Sequence, residues 1–228
     1  MTELDERLAI VVEMAPQSPI IADIGTDHGY TGIALLLAGK AGKLIFNDIS
    51  EVSLDKARDN AEKAGVSGKA VFCAGDGFDA LPEKPDAAII AGMGADTIID
   101  ILSSPAFEKY RPILILQPNV GSEQLRRYLS NIGYRISDEA VARAGGRHYV
   151  IIKAEPGECQ YEEADYIIGP ILRKTEKKNF DTFIAFRIRV CEKALSGAMA
   201  GNDPGSIREI TRELDEWRKI RIERSGDL

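Results

Sequence analysis

Acidic side chains stand at the ends of three successive apolar runs, where a parallel sheet would present its ligand-binding edge. Asp23 ends the first run, Asp48 ends the second, and Asp76 lies between two glycines directly after the third. Ligands of α/β folds bind at this edge, because glycines in the turns let the backbone approach closely. A cofactor with an ammonium group, a ribose and an adenine, and without phosphate, accounts for all three carboxylates.

The turn after the first run is the most informative segment of the chain. Gly25 gives it conformational freedom, and Asp27 gives it a negative charge. A pyrophosphate-binding turn is built from glycines and backbone N–H groups and excludes an anionic side chain. The turn therefore predicts a cationic cofactor, with Asp23, Gly25 and Asp27 in contact with it.

The next two turns supply the other predicted cofactor contacts. Asp48 lies 23 residues after Gly25, a spacing that lets a carboxylate accept hydrogen bonds from ribose hydroxyls, with Ile49 beside it. NAD enzymes share this spacing. The Asp76 carboxylate can accept a hydrogen bond from the exocyclic amine of adenine, with Gly77 leaving room for the ring. An ordinary Asp-Gly turn has the same sequence.

The fourth and fifth turns carry candidates for the space beside the cofactor. Gly92 and Met93 lie in Ala-Gly-Met-Gly, which leaves room for a base or serves tight helix packing; Gly92 is also predicted to contact the cofactor. Gln117 and Asn119 offer amide groups at the mouth of the same cleft, or form a plain turn. The Asn-Pro-Pro-aromatic element of many enzymes that methylate base amino groups is missing.

Two further kinds of residue complete the predicted site. Asp27 and His28 lie in the loop that faces the reacting group, and we predict a catalytic role for both, although a single loop histidine is often only solvated. Arg126 and Arg147 come from a basic stretch and are predicted to contact the substrate together with Met93.

The composition limits the class of protein. The 228 residues are 44% hydrophobic and 29% charged, as in ordinary globular chains. The chain has no apolar run of the ~20 residues that span a membrane, no signal-peptide layout and no metal-ligand spacing among its three cysteines. These features predict a cytoplasmic protein with reduced thiols, bound neither to a membrane nor to a metal.

The net charge of −7 is unevenly distributed. Residues 1–106 carry 8 basic and 17 acidic side chains, whereas residues 107–153 carry 8 basic and 4 acidic ones. An acidic N-terminal half followed by basic patches fits a protein that binds a cationic cofactor and a polyanionic substrate. The alternative is that surface charge is simply distributed unevenly.

Hydrophobic periodicity predicts two domains. Residues 1–158 alternate strands and helices, and two final strands flank Gly145-Gly146 as a β-hairpin. Five parallel strands closed by an antiparallel hairpin are typical of the seven-stranded, Rossmann-like α/β sheet of class I methyltransferases that use S-adenosylmethionine.

After a linker at 155–158, residues 159–228 are predicted to form an antiparallel coiled-coil hairpin of two helices, the second started by a capping box at Ser206 and Glu209. The predicted strands span 20–24, 43–48, 69–74, 86–91 and 112–117. The predicted helices lie near 31–39, 51–64, 95–102 and 121–131, with a short helical turn near 77–81. An amphipathic helix is predicted before the first strand, because Leu4, Leu8, Val11 and Val12 fall on one helical face.

Five segments together resemble the bacterial tRNA adenine-22 N1-methyltransferases (TrmK), and the resemblance covers nearly the whole chain. They are Ala-Asp-Ile-Gly-Thr-Asp-His-Gly-Tyr (22–30), Gly-Asp-Gly (75–77), Ile-Ala-Gly-Met-Gly (90–94), Ile-Leu-Gln-Pro-Asn (115–119) and Ile-Gly-Pro-Ile-Leu (168–172). The resemblance implies a Rossmann-like catalytic domain, a helical hairpin that helps to hold tRNA, and a requirement for Asp27 in methyl transfer. Gly94-Ala95 departs from the Gly-Gly expected there.

Other functions remain open at this point. The chain can methylate another RNA or a small molecule, or bind RNA without catalysis, although an inactive site has no need of three carboxylates. An NAD-dependent oxidoreductase is disfavoured by Asp27. The hairpin can serve as an oligomerisation device, although we favour a monomer. Its basic residues are predicted tRNA contacts: Arg173, Lys174, Lys177, Lys178, Arg187 and Arg189.

Overall fold

A computed structural model describes residues 4–175 and 178–225 of the chain. The chain divides into two compact units, Met1–Cys159 and Gln160–Leu228. The first unit contains α1 (Glu6–Met14), β1 (Ser18–Ile24), α2 (Tyr30–Leu37), β2 (Ala41–Asp48), α3 (Glu51–Lys63), β3 (Ala70–Ala74), β4 (Ala87–Met93), α4 (Ala95–Leu102), α5 (Pro105–Tyr110), β5 (Ile113–Pro118), α6 (Ser122–Asn131), β6 (Tyr134–Ala144) and β7 (Arg147–Pro156). The second contains α7 (Glu163–Ile168), α8 (Phe180–Ala200) and α9 (Pro204–Ser225).

The first unit is built on one sheet of seven strands in the order β3-β2-β1-β4-β5-β7-β6. Strands β1 to β5 are parallel, and β7 pairs antiparallel with both β5 and β6. The central strands are nearly continuous apolar runs, as expected where helices cover both faces; Ile21, Leu44 and Ile89 are fully buried. The predicted Rossmann-like methyltransferase sheet is confirmed. Its direction of winding changes between β1 and β4, so their carboxyl ends flank the position where such sheets bind ligands.

Local sequence signals set the ends of the helices around this position. Ser50 caps α3 by accepting a hydrogen bond from the backbone N–H of Ser53 at 3.3 Å. Gly65 follows α3 with a φ of +71° and donates its N–H to the Glu62 carbonyl at 2.9 Å, as predicted for a glycine that closes a helix. The turn after β2 therefore passes into a helix whose two ends are fixed by its own sequence.

The second unit contains the predicted pair of long helices. Helices α8 and α9 pack as an antiparallel hairpin, with Ile184, Ile188 and Trp217 buried between them. Ion pairs join the two helices, among them Arg224 with Asp181 at 2.7 Å and Arg218 with Glu192 at 2.8 Å. The interhelical surface is thus apolar in its centre and charged at its margins.

The structure corrects the predicted start of the last helix. Helix α9 begins at Pro204, and Asp203 accepts hydrogen bonds from the backbone of Gly205 at 3.1 Å and of Ser206 at 3.2 Å. The predicted capping box at Ser206 and Glu209 is wrong, because the proline allows the helix to begin three residues earlier, with Asp203 in place of Ser206 at its N-terminus. The short helices α5 and α7 were not predicted, and β7 extends into the predicted linker as far as Pro156.

Arg126, predicted from its charge to contact the substrate, is buried instead. Its side chain is 1% exposed and donates through Nε to Oε1 of Glu139, which is fully buried, at 2.7 Å. The two residues come from α6 and β6, so the pair joins the helix to the edge of the sheet. The prediction of a substrate contact at Arg126 is therefore wrong.

Replacing Arg126 with Met should lower the free energy of unfolding by about 3–5 kcal/mol, because the Glu139 carboxylate is left buried without its counter-charge. Urea denaturation of the unmodified and variant proteins measures this loss. The neighbouring Arg127, which pairs with Glu123 at the surface, provides the matched control, and Arg127→Met should cost about 0.2–1 kcal/mol. Equal losses in the two variants would contradict the structural role of Arg126.

Candidate functional site

A cavity of about 450 Å³ opens where the carboxyl ends of β1, β2 and β3 meet. We call it the first cavity. Its lining comes from the ends of these strands and the turns that follow them, from the end of β4, from α4 and from the residue before α5: Ile24, Gly25, Asn47, Asp48, Ile49, Gly75, Asp76, Gly77, Asp79, Met93, Thr97, Asp100, Ile101 and Ser104. The structure thus brings together the predicted cofactor contacts Gly25, Asp48, Ile49, Asp76 and Gly77.

A second cavity of about 340 Å³ lies against the first. Its lining comes from α1, the turn after β1 and the end of β4: Arg7, Leu8, Asp23, Gly25, Thr26, Asp27, His28, Gly29, Tyr30, Thr31, Ala91, Gly92 and Met93. Gly25 and Met93 line both cavities, so the two meet at these residues. This arrangement suits a reaction between two ligands that approach each other across Gly25 and Met93.

The junction between the cavities requires a glycine at position 25. Gly25 has a φ of +77°, and a Cβ atom there would lie 2.0 Å from Cε of Met93. The methionine side chain therefore packs directly against the glycine backbone. A larger residue would both strain the turn and displace Met93 from the wall that the cavities share.

Asp48 and Asp76 present carboxylates to the first cavity in different ways. Oδ1 of Asp48 accepts the backbone N–H of Ser50 at 2.8 Å, which fixes the orientation of the carboxylate. The backbone N–H of Gly75 donates to the Asp48 carbonyl at 3.0 Å, so the turn that carries Asp76 is tied to the end of β2. Ile49 is 78% exposed beside them and offers an apolar surface.

Asn47 connects two turns of the first cavity, although no sequence pattern singled it out. Its side chain is 1% exposed and donates from Nδ2 to the carbonyls of Cys73 and Gly75, both at 3.1 Å. Its own carbonyl accepts the backbone N–H groups of Gly25 at 2.8 Å and of Thr26 at 3.2 Å. One residue of β2 therefore holds the turn after β1 and the turn after β3.

Asp23 is the most deeply buried carboxylate of the second cavity. It is the penultimate residue of β1, is 6% exposed and accepts a hydrogen bond from Oγ1 of Thr26 at 2.7 Å. Burial raises the pKa of Asp23 to about 6, and the Thr26 hydroxyl lowers it in part. A cationic ligand beside Asp23 would favour the ionised form.

Asp27 and His28 lie together in the lining of the second cavity. Oδ2 of Asp27 is 3.3 Å from Nε2 of His28, and its Oδ1 is 3.5 Å from Nζ of Lys56. The Asp27 side chain is 65% exposed. The His28 ring stacks on Tyr30, with 5.3 Å between ring centroids. This part of the lining combines an accessible carboxylate with a flat aromatic surface.

The predicted substrate contacts from the fourth and fifth turns have different positions. Met93 lines both cavities and Gly92 lines the second, not the first. Gln117 is fully buried, and its Oε1 accepts the backbone N–H of Gly92 at 3.1 Å. A direct substrate contact at Gln117 is therefore wrong. Asn119 is exposed and donates from Nδ2 to the Gly92 carbonyl at 2.7 Å, so both amides position the backbone of Gly92.

Arg147 is exposed at the turn between β6 and β7, and Arg143 is exposed on the opposite strand of the same hairpin. Gly145 and Gly146 both have positive φ, as the turn requires.

Across the described residues 4–175 and 178–225, no three His, Cys, Asp or Glu side chains converge as metal ligands would. The described helices include none with the length and apolarity needed to cross a membrane.

The fold and the paired cavities define a Rossmann-like methyltransferase. A family model described as "Methyltransferase domain" matches residues 4–152. The tRNA (adenine(22)-N(1))-methyltransferase of Bacillus subtilis (strain 168) is 31% identical over 186 residues, which are 78% of this chain and 78% of that protein. The chain belongs to the tRNA (adenine(22)-N1)-methyltransferase family.

Solved structures extend this similarity over both units. A Streptococcus pneumoniae protein solved in complex with S-adenosyl-L-methionine has a TM-score of 0.85 and 26% identity, over 96% of this chain and 100% of that one. M. capricolum TrmK, solved with S-adenosyl-homocysteine, has a TM-score of 0.79 and 25% identity, over 95% and 96% of the two chains.

Replacing Asn47 with Leu should loosen the turn at residues 75–77, because the carbonyls of Cys73 and Gly75 lose their donor. We expect faster amide hydrogen exchange there and a loss of about 1–3 kcal/mol in the free energy of unfolding. Asn60 provides the control, since its Nδ2 donates to the His28 carbonyl at 3.0 Å. Asn60→Leu should affect the turn after β1 and leave residues 75–77 protected. Unchanged amide hydrogen exchange at residues 75–77 in Asn47→Leu would show that this turn does not depend on Asn47.

Proposed function

We propose that this protein transfers the methyl group of S-adenosylmethionine to N1 of adenine 22 in tRNA. The observation that carries the proposal is the meeting of two cavities at Gly25 and Met93. The first presents carboxylates suited to a nucleoside, and the second presents a carboxylate and an aromatic surface suited to a base. Membership of the tRNA (adenine(22)-N1)-methyltransferase family supports the same reaction.

The first cavity fits the cofactor by the chemistry of its donors and acceptors. Asp48 would accept hydrogen bonds from the ribose hydroxyls, since Ser50 occupies only one of its oxygens. Asp76 would accept from the adenine amine, with Ile49 against the ring. Asp23, which lines the second cavity beside the shared Gly25, would compensate the ammonium charge there. The cofactor supplies an electrophilic methyl group, and these residues bind and orient it.

The second cavity fits an unpaired adenine. N1 carries its own lone pair, so attack on the methyl group needs no strong base. Positive charge then moves onto the purine, and Asp27, accessible and close to the junction, would stabilise that charge or accept a hydrogen bond from the exocyclic amine. The stacked rings of His28 and Tyr30 would hold the base, which must leave any base pair because N1 is hidden in a duplex.

The tRNA backbone would be held by exposed basic residues of each unit. Arg143 and Arg147 at the tip of the β6–β7 hairpin are exposed, as are Lys174 and Arg189 in the helical unit. Other predicted contacts are already used for ion pairs: Arg173 with Asp165 at 2.8 Å, and Arg187 with Glu213. Lys178 is exposed too, whereas Lys177 lies outside the described residues. Arg143, Arg147, Lys174 and Arg189 would therefore make the stronger phosphate contacts.

Incubation of the protein with radiolabelled S-adenosylmethionine and unmodified tRNA, followed by nucleoside analysis, tests the proposal directly. Label should appear in 1-methyladenosine at position 22, and a tRNA with another base at that position should remain unlabelled. Label in a different nucleoside, or transfer to small molecules only, would refute the assignment.

Asp27→Asn removes the charge beside the reacting base and keeps the size of the side chain. Turnover with saturating substrates should fall by roughly 10²-fold or more, with smaller changes in the affinities for tRNA and cofactor. Single-turnover methyl transfer measures this. Asp55, an exposed carboxylate on α3 that pairs with Arg58, supplies the control, and Asp55→Asn should be near normal. Near-normal turnover of Asp27→Asn would make Asp27 only structural.

The raised pKa of Asp23, about 6, makes cofactor binding depend on pH. The ammonium group favours ionised Asp23, so binding below the free pKa must release a proton. The dissociation constant should rise by up to about tenfold per pH unit below that value and level off above it. Calorimetry at pH 6, in buffers of different ionisation enthalpy, measures the proton release. Asp23→Asn should bind more weakly and without this dependence, whereas proton-independent binding by the unmodified protein would contradict the role of Asp23.

A further inference from the structure

A chain of side-chain hydrogen bonds runs from helix α1 to the floor of the second cavity. Nη1 of Arg7 donates to Oε1 of Gln117 at 2.6 Å, and the same oxygen accepts the Gly92 N–H at 3.1 Å. Nε2 of Gln117 donates to Oδ1 of Asn119 at 3.2 Å, and Nδ2 of Asn119 donates to the Gly92 carbonyl at 2.7 Å. The backbone N–H of Asn119 donates to the Met93 carbonyl at 2.7 Å.

Arg7 reinforces the direction of this chain, which the N–H and the carbonyl of Gly92 also favour. A guanidinium has only donors, and so has the Gly92 N–H, so Oε1 of Gln117 must face both of them. Its Nε2 must then face Asn119, which turns Oδ1 of Asn119 toward Gln117 and Nδ2 toward the Gly92 carbonyl. Without Arg7, Oε1 of Gln117 keeps the N–H of Gly92 but loses its charged donor.

The backbone held in this way is unusual in its geometry. Gly92 has a φ of +83°, and the pairing of β4 with β5 shifts its register between Ala91 and Met93. The regular ladder is therefore interrupted where Met93 turns toward Gly25. The two amides take the place of the missing strand pairing and fix both polar groups of Gly92.

We propose that Arg7 is a positioning residue for the target base. Through Gln117 and Asn119 it fixes Gly92 and Met93, which form the floor of the second cavity and its border with the first. Arg7 is itself well anchored: its guanidinium lies over the ring of Tyr149, 5.5 Å from the centroid, and 3.7 Å from the Asp5 carboxylate. The N-terminal helix is thereby part of the target-binding half of the site. This inference rests on the proposed function, in which the second cavity receives the adenine.

Arg7→Met tests the inference, with the complete chain and unmodified tRNA as substrate. The turnover number should fall by about tenfold or more, because small misplacements of reacting groups cost rates of that order. The dissociation constant of S-adenosylmethionine should change much less than the turnover number, since Asp48 and Asp76, the proposed ribose and adenine contacts, line the first cavity and Arg7 does not. Arg7→Lys retains one donor for Oε1 of Gln117 and should recover part of the lost turnover.

Lys40→Met is the matched control for loosening of α1. Nζ of Lys40 donates to the Ala15 carbonyl at 2.7 Å and so holds the other end of the helix, away from the Gln117 chain. Thermal unfolding of both variants reports whether they lose stability to a similar degree. Lys40→Met should keep normal turnover, whereas Arg7→Met should not.

A double-variant cycle isolates the route through Gln117. Gln117→Leu should reduce turnover by itself, and adding Arg7→Met to it should cause little further loss, because both changes break one chain. Full additivity, normal turnover in Arg7→Met, or an equal loss in Lys40→Met would each overturn the inference. Absence of 1-methyladenosine with the unmodified protein would instead refute the proposed function.

Discussion

The carbonyl and the amide of Asn47 hold the cofactor half of this site in place. The carbonyl receives two N–H groups from the turn after β1, and the amide donates to two carbonyls in and after β3. Parallel strands bring these turns near one another, but their mutual spacing is fixed only by hydrogen bonds across the strand ends. A neutral, fully buried amide does this without adding charge beside the carboxylates that must receive a ligand.

Charge in the site is graded by burial. Asp23 is enclosed, and its ionisation is costly until a cation arrives; Asp27 is open to solvent and lies near Lys56 and His28. In a transfer that carries positive charge from a sulfonium to a purine, a carboxylate is useful at each end of that path. Both carboxylates line the second cavity, Asp23 from β1 and Asp27 from the turn that follows it.

The sequence was sufficient to predict the sheet, most of its elements and the three carboxylates, because apolar periodicity and glycine-containing turns are local signals. It was not sufficient for residues whose role depends on a distant partner. Asn47 lies inside an apolar run, and Arg7 fits the polar face of an amphipathic helix, so neither was predicted to be part of the site. Arg126 was misjudged because its charge was visible in the sequence and its buried partner Glu139 was not. Gln117 follows β5's apolar run as expected, but its Oε1 accepts hydrogen bonds from Arg7 and Gly92, so a substrate would find this oxygen already bonded.

The contacts of helix α1 also determine when the site can form during synthesis. Arg7 meets a partner 110 positions later in the chain, and Glu6 accepts the backbone N–H of Arg143, 137 positions later. A helix of nine residues has little stability alone, so α1 leaves the ribosome long before the strands that receive it. The turns around the first cavity are complete once β3 and β4 have been made, whereas the floor of the second must wait for β5 and the hairpin that follows. A nascent chain can thus complete the turns of the first cavity while α1 still lacks its partners in β5 and in the β6–β7 hairpin.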